Sequence, residues 1–126
     1  MSRPVGPYTP ARRAGDWVIT SGQIGLATDD SGSAALVEGG TVPQLHQALA
    51  NLAAVLRTEG ATLRDVVQTT LYLVDMYEYA AVNGVWVEHF PEHPPARSAV
   101  AVAALPLGAR VEVEAWAYLP TERVLL

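Results

Sequence analysis

At 126 residues the chain has the length of one ordinary domain, and it reads as a single domain over 1–126. Half of the residues are hydrophobic and 17% are charged, a balance that points to buried subunit contacts, although no apolar run is long enough to cross a bilayer. All eight basic residues are arginine and cysteine is absent, which excludes lysine Schiff bases, thiolate catalysis and disulfides, while a net charge of -5 gives no long-range attraction for nucleic acid.

Met1-Ser2-Arg3-Pro4 lacks the apolar core of a secretory signal, so the expected address is the cytoplasm. Strands are expected near 9–13 and 16–21, joined by a hairpin turn at Ala14-Gly15-Asp16. Residues 28–40 are rich in Asp, Ser and Gly and read as a loop, with a short strand at Ala35-Leu36-Val37. The period then changes. Thr41 and Gln44 have capping-box spacing, Pro43 sits in the first turn, and Leu45, Leu49, Leu52 and Leu56 mark one face of a helix that lasts to Gly60. Val66 to Val74 is dense in β-branched and aromatic residues and reads as a central strand. A second helix is expected from about Met76 to His89, with Tyr79, Val82, Val85, Trp86 and Phe90 as its apolar face. Two further strands, Ala96–Ala104 and Arg110–Leu119, are expected to be joined by a hairpin connection over 105–109. The fold class is therefore α+β, a mixed sheet of about six strands with two helices packed on one face. The other sheet face mixes charge with large aromatics, and packing against copies of itself would bury the aromatics.

Arg97, in Pro94-Pro95-Ala96-Arg97-Ser98-Ala99-Val100, is the only charge on a strand that reads as core. It needs an anion, either Glu112 or Glu114 within the protein or a substrate carboxylate held by the planar guanidinium; by residue type alone the internal pair is the commoner use. Glu112 and Glu114 share one strand face, either as an acid/base pair with one proton affinity raised by the other or as a solvated face with Arg110 as neighbour. With a tight 105–109 connection Glu112 would lie opposite about Val102, roughly 17 Å from Arg97 in one chain, so serving one small substrate would take two subunits. Ser21-Gly22-Gln23 could offer a hydroxyl and a close backbone N–H, or be a plain turn; Tyr8 is an ordinary anchor unless it lines a pocket. His89 and His93 have metal-like spacing, but Pro91 breaks the helix between them, so no metal site is expected there.

Gly6-Pro7-Tyr8, Thr20-Ser21-Gly22-Gln23-Ile24, Asp65-Val66-Val67-Gln68-Thr69-Thr70, Ala81-Val82-Asn83, Pro95-Ala96-Arg97-Ser98-Ala99-Val100, Leu105-Pro106 and Val111-Glu112-Val113-Glu114-Ala115 together resemble the RidA/YjgF family of reactive-intermediate imine and enamine deaminases over nearly the full length. The resemblance implies a chorismate-mutase-like fold, a homotrimer with clefts between subunits, and hydrolysis of 2-imino acids or their enamine tautomers to 2-oxo acids and ammonia without cofactor or metal. It also implies that Arg97 clamps the substrate carboxylate, that Tyr8 and Ser21 flank it, that Gly22 and Ala99 offer backbone contacts, that Asn83 lines the cleft and that Glu112 positions the attacking water. One departure is Ala99, where the deaminase branch commonly has cysteine; because the implied nucleophile is water, the change bears on pocket shape and substrate scope. The trailing Thr121-Glu122-Arg123-Val124-Leu125-Leu126 runs past the usual end of the pattern, to dock on a neighbouring subunit or to fray. Two other classes stay open: a non-catalytic ligand-binding or chaperone-like trimer using the same cleft, and an RNA-directed endoribonuclease or translation inhibitor, against which the acidic balance argues.

Overall fold

The computed structural model describes residues 4–121. In chain order the elements are β1 (Ala11–Ala14), β2 (Trp17–Thr20), β3 (Leu26–Thr28), β4 (Ala34–Leu36), α1 (Thr41–Arg57), β5 (Val66–Leu73), α2 (Tyr79–His89), β6 (Ala96–Ala101) and β7 (Val111–Tyr118). Five strands form one mixed sheet in the order β1-β2-β7-β5-β6, and β3 and β4 form a separate antiparallel ribbon. The α+β class with two helices on a sheet thus holds, with the expected six-stranded sheet resolved into five strands and a ribbon. Gly15, at φ 59, starts the two-residue β1–β2 turn, where positive φ matches the strand twist.

Sheet side chains alternate. Val111, Val113, Ala115 and Ala117 of β7 join Leu71 and Leu73 of β5 and Val18 of β2 in the core beneath the helices. The leucine stripe of α1 lies against them, and Leu45, Leu49, Leu52 and Leu56 are each fully buried. Val82, Val85 and Trp86 bring α2 into the same core. Asn51 donates to the carbonyls of Ile24 and Leu26 at 3.0 and 2.9 Å, tying the chain entering the β3–β4 ribbon to α1. Among the described residues no helix is long and apolar enough to cross a membrane.

Three expectations are corrected. Thr41 and Gln44 do not form a capping box: Gly40 is the N-cap, and both side chains are taken by Arg110, whose Nε donates to Thr41 Oγ1 at 3.0 Å and whose backbone N–H donates to Gln44 Oε1 at 2.9 Å. Residues 105–109 do not join a hairpin, because β6 runs parallel to β5 on one side while β7 runs antiparallel to β5 on the other. β5 is accordingly interior, but the middle strand is β7, and β6 is an edge strand with exposed Ala96, Ser98, Val100 and Ala101 where a core strand was expected. Of the C-terminal tail, Thr121 donates to Asp16 Oδ1, and Glu122–Leu126 lie outside the described residues.

Truncating the stripe tests this core. Leu52→Ala removes a fully buried side chain at the helix–sheet contact and is expected to cost about 2–5 kcal/mol in urea unfolding.

Candidate functional site

Two groups of the singled-out residues occur, on opposite faces of the sheet. On the face away from the helices, Glu112 and Glu114 alternate with the core residues of β7, and Tyr72 and Thr70 of β5 stand level with them. Tyr72 donates its hydroxyl proton to Glu114 Oε1 at 2.6 Å. That hydrogen bond first, then burial and the charges of Glu114 and Glu112, push the Tyr72 phenol up to about 12. Burial, and secondarily the charge of Glu114, push the Glu112 carboxyl above its ordinary value. No cation pairs with either carboxylate among the described residues. Arg110, the expected neighbour, instead bonds Glu78 and lies 4.0 Å from Asp75.

The segment after β2 is pressed against Glu112. Gln23 exchanges backbone hydrogen bonds with Val113 at 2.8 and 3.0 Å, which lays Gly22 beside the carboxylate. A Cβ at Gly22 would stand 2.6 Å from the Glu112 Cδ, so a side chain there would push the carboxyl out of its present place. Ser21 donates its hydroxyl to the Thr9 carbonyl at 2.6 Å, holding the N-terminal segment over the site. Tyr8, half exposed, lines a small cleft with Val5, Pro10, Gly22 and Gln23. Tyr8, Ser21, Gly22 and Glu112 thus form one neighbourhood.

Arg97 and Ala99 stand level with buried Thr69 and Leu71, on the helix side of the sheet. Neither Glu112 nor Glu114 is the partner of Arg97: its Nη2 donates to Asn83 Oδ1 at 2.7 Å and to the Tyr79 hydroxyl at 3.0 Å. The guanidinium carbon also lies 4.9 Å from the Trp86 ring centre and 5.4 Å from that of Tyr79. These partners are neutral, and Nε and Nη1 of Arg97 have none among the described residues. The cation is oriented without being neutralised. Val102 donates to Leu73 at 2.8 Å, so by the two-residue period of the strand the N–H groups of Arg97 and Ala99 face the free edge.

Within one chain the two groups do not meet. Thr69 is level with both Arg97 and Ala115, and Tyr72 with Glu112, which separates the Arg97 and Glu112 backbones by two strand spacings and three residues, roughly 14 Å. Their side chains then leave opposite faces, so the two are apart within one chain as expected, although by a different register and a somewhat shorter backbone distance than the hairpin implied. Tyr72, Tyr79 and Trp86 were not among the expected site residues. Tyr79, Asn83 and Trp86 are spaced i, i+4, i+7, which puts them on one helix face and carries the missed signal.

A family model described as Endoribonuclease L-PSP matches residues 1–119. The 2-iminobutanoate/2-iminopropanoate deaminase of Mus musculus is 43% identical over 111 residues, covering 88% of this chain and 80% of that protein. A RutC family protein of Pyrococcus horikoshii is 40% identical over 116 residues, covering 92% and 90%. Among solved structures, RidA from the Antarctic bacterium Psychrobacter sp. PAMC 21119 matches with TM-score 0.85 and 38% identity over 94% of this chain and 93% of that one. The YjgF gene product of E. coli matches with TM-score 0.82 and 35% identity over 93% and 91%.

The raised Glu112 carboxyl has a consequence for stability. A carboxyl whose proton affinity rises on folding favours the fold below its ordinary value, and this contribution is lost as pH rises through the native value. Glu112→Gln, which stays neutral, is therefore expected to gain in melting temperature relative to the parent between about pH 4 and pH 7. An offset that does not change with pH would contradict the assignment.

Proposed function

The chain belongs to the RidA/YjgF family, which includes 2-iminobutanoate/2-iminopropanoate deaminases about 40% identical to it, and on that premise we propose that it hydrolyses 2-imino acids, or their enamine tautomers, to 2-oxo acids and ammonia. The observation that carries this reading is Arg97, a guanidinium held by Asn83 and Tyr79 and stacked on Trp86 with no carboxylate among the described residues to satisfy it. A substrate carboxylate supplies the missing anion through bidentate hydrogen bonds, and the edge N–H of Ala99 adds a third donor.

In the proposed reaction Glu112 takes a proton from water as its oxygen bonds to the imine carbon. The same carboxyl returns that proton to nitrogen, giving a carbinolamine; it then relays the new hydroxyl's proton to the amine, so that the C–N bond breaks, ammonia leaves and the carbonyl forms. A carboxyl raised toward neutrality by burial is suited to both directions of transfer. The imine is already electrophilic, so orientation, one acid/base group and an anion clamp suffice, and a chain without lysine or cysteine can supply them.

Because Arg97 and Glu112 leave opposite faces of one sheet, we place the working site between copies of the chain, in a homotrimer whose contacts cover Trp17, Trp116 and Tyr118, each 38–44% exposed in the single chain. Light scattering at micromolar concentration is expected to give three times the chain mass, and a monodisperse monomer would remove the site.

Imine hydrolysis tests the residues. With imines generated in situ by an amino-acid oxidase, Arg97→Ala is expected to raise KM or abolish turnover and Arg97→Lys to rescue poorly, since an ammonium does not reproduce the planar fork. Glu112→Gln is expected to lower kcat by on the order of 10² with a smaller effect on binding of the 2-oxo acid product. Full activity in a well-folded Arg97→Ala protein would end the deaminase reading. The net charge of -5 leaves little to gain from counterion release, so tight, salt-steep binding of single-stranded RNA is not expected.

A further inference from the structure

Away from both groups of site residues, the two helices meet through a pair of imidazoles. His46 lies in the second turn of α1 and His89 closes α2. His46 Nδ1 is 3.0 Å from His89 Nε2, with the ring centres 5.2 Å apart. Glu88 Oε2 is 3.7 Å from Nε2 of His46, whose side chain is 44% exposed and open to small solutes. We propose that His46 and His89 form a two-imidazole site for a late first-row divalent ion, of the Ni²⁺ and Cu²⁺ type, that clips α1 to α2.

Three features carry this. Neutral imidazole is a common ligand for such ions, and here two come from residues 43 apart on different helices, so an ion joining them acts across the tertiary structure. Two nitrogens each about 2.0–2.1 Å from one ion at a right angle lie roughly 2.9 Å apart, which the observed 3.0 Å matches; a tetrahedral ion needs roughly 3.4 Å. Neighbouring positions of a tetragonal or octahedral ion therefore fit better than a tetrahedral zinc site. Finally, Glu88 Oε2 faces the His46 Nε2 that is turned away from His89; with a proton on that nitrogen, His46 Nδ1 accepts from His89 Nε2–H, and the ion takes the place of this shared proton, which His89 moves to Nδ1 or releases. A carboxylate behind a ligating imidazole is the usual outer support of such sites.

Among the described residues no cluster of three or more candidate ligands occurs, so water fills the remaining positions. His93, beyond Pro91, is not part of the pair. An ion at this place would hold α2 against α1, and α2 also carries the Asn83 that orients Arg97.

The test uses untagged protein and NiCl₂, with calorimetry for binding and melting temperature for stability. The expected result is one ion per chain and a saturable rise of about 2–8 °C at large excess over the dissociation constant. His46→Gln and His89→Gln should each weaken binding by at least about tenfold and abolish the rise, whereas His93→Gln should keep both. Binding unchanged in His46→Gln and His89→Gln, loss in His93→Gln, or no saturable binding by the parent would overturn the site and leave an ordinary histidine–histidine hydrogen bond. Electron paramagnetic resonance of the Cu²⁺-loaded parent, which needs no variant to fold, should show two nitrogen ligands; one or none would also overturn it. Neither readout depends on imine hydrolysis.

Discussion

β7 is bonded on both sides, to β2 and to β5, and its register against Gln23 adds a third attachment. A strand held this way cannot roll, and its side chains must alternate between two environments. Val111, Val113, Ala115 and Ala117 go to the helices, which leaves Glu112 and Glu114 on the other face with Tyr72. The paired carboxylates, the buried core and the close approach of Gly22 follow from this one registration. A slip of a single residue would put two carboxylates under α1 and four apolar side chains in their place.

The two groups of site residues are electrostatic opposites. Arg97 is held by neutral oxygens and aromatic faces, so its charge is oriented yet still available. Glu112 is half-buried and, secondarily, crowded by Glu114, so its charge is disfavoured. Each is an unsettled arrangement within one chain. An anionic substrate would relieve the first, and a proton passing between water and nitrogen would use the second.

Patterns set by nearest neighbours were legible in the residues, and those set by distant ones were not. The leucine stripe of α1, the Gly15 turn and the alternation of β7 are local, and each lies where the periodicity put it. The Thr41–Gln44 capping box failed because Arg110, distant in sequence, takes both side chains. The 105–109 segment looked like a hairpin because Pro106 and Gly108 do make a tight turn, with Leu107 at φ 58; that turn starts a crossover past β5 and not a return beside β6. Arg97 looked like half of an ion pair because composition says that a partly buried arginine needs an anion and says nothing about an Asn83, Tyr79 and Trp86 support arriving from a helix. Glu112, Gly22, Ser21 and Tyr8 were candidates by residue type, their roles at one site came through the family resemblance, and their mutual closeness came only with the Gln23–Val113 pairing.

Among the described residues β6 closes the sheet with mostly small side chains and one uncovered row of backbone groups. Such a margin accepts any extended segment that meets it, since pairing there needs only N–H and C=O. The donors beside Arg97 belong to that row, so the anion proposed for Arg97 and an invading strand would compete for the same hydrogen bonds. Occupancy by ligand would then protect the chain from joining its neighbours edge to edge, and the depleted, ligand-free protein would be the form most prone to sticky association.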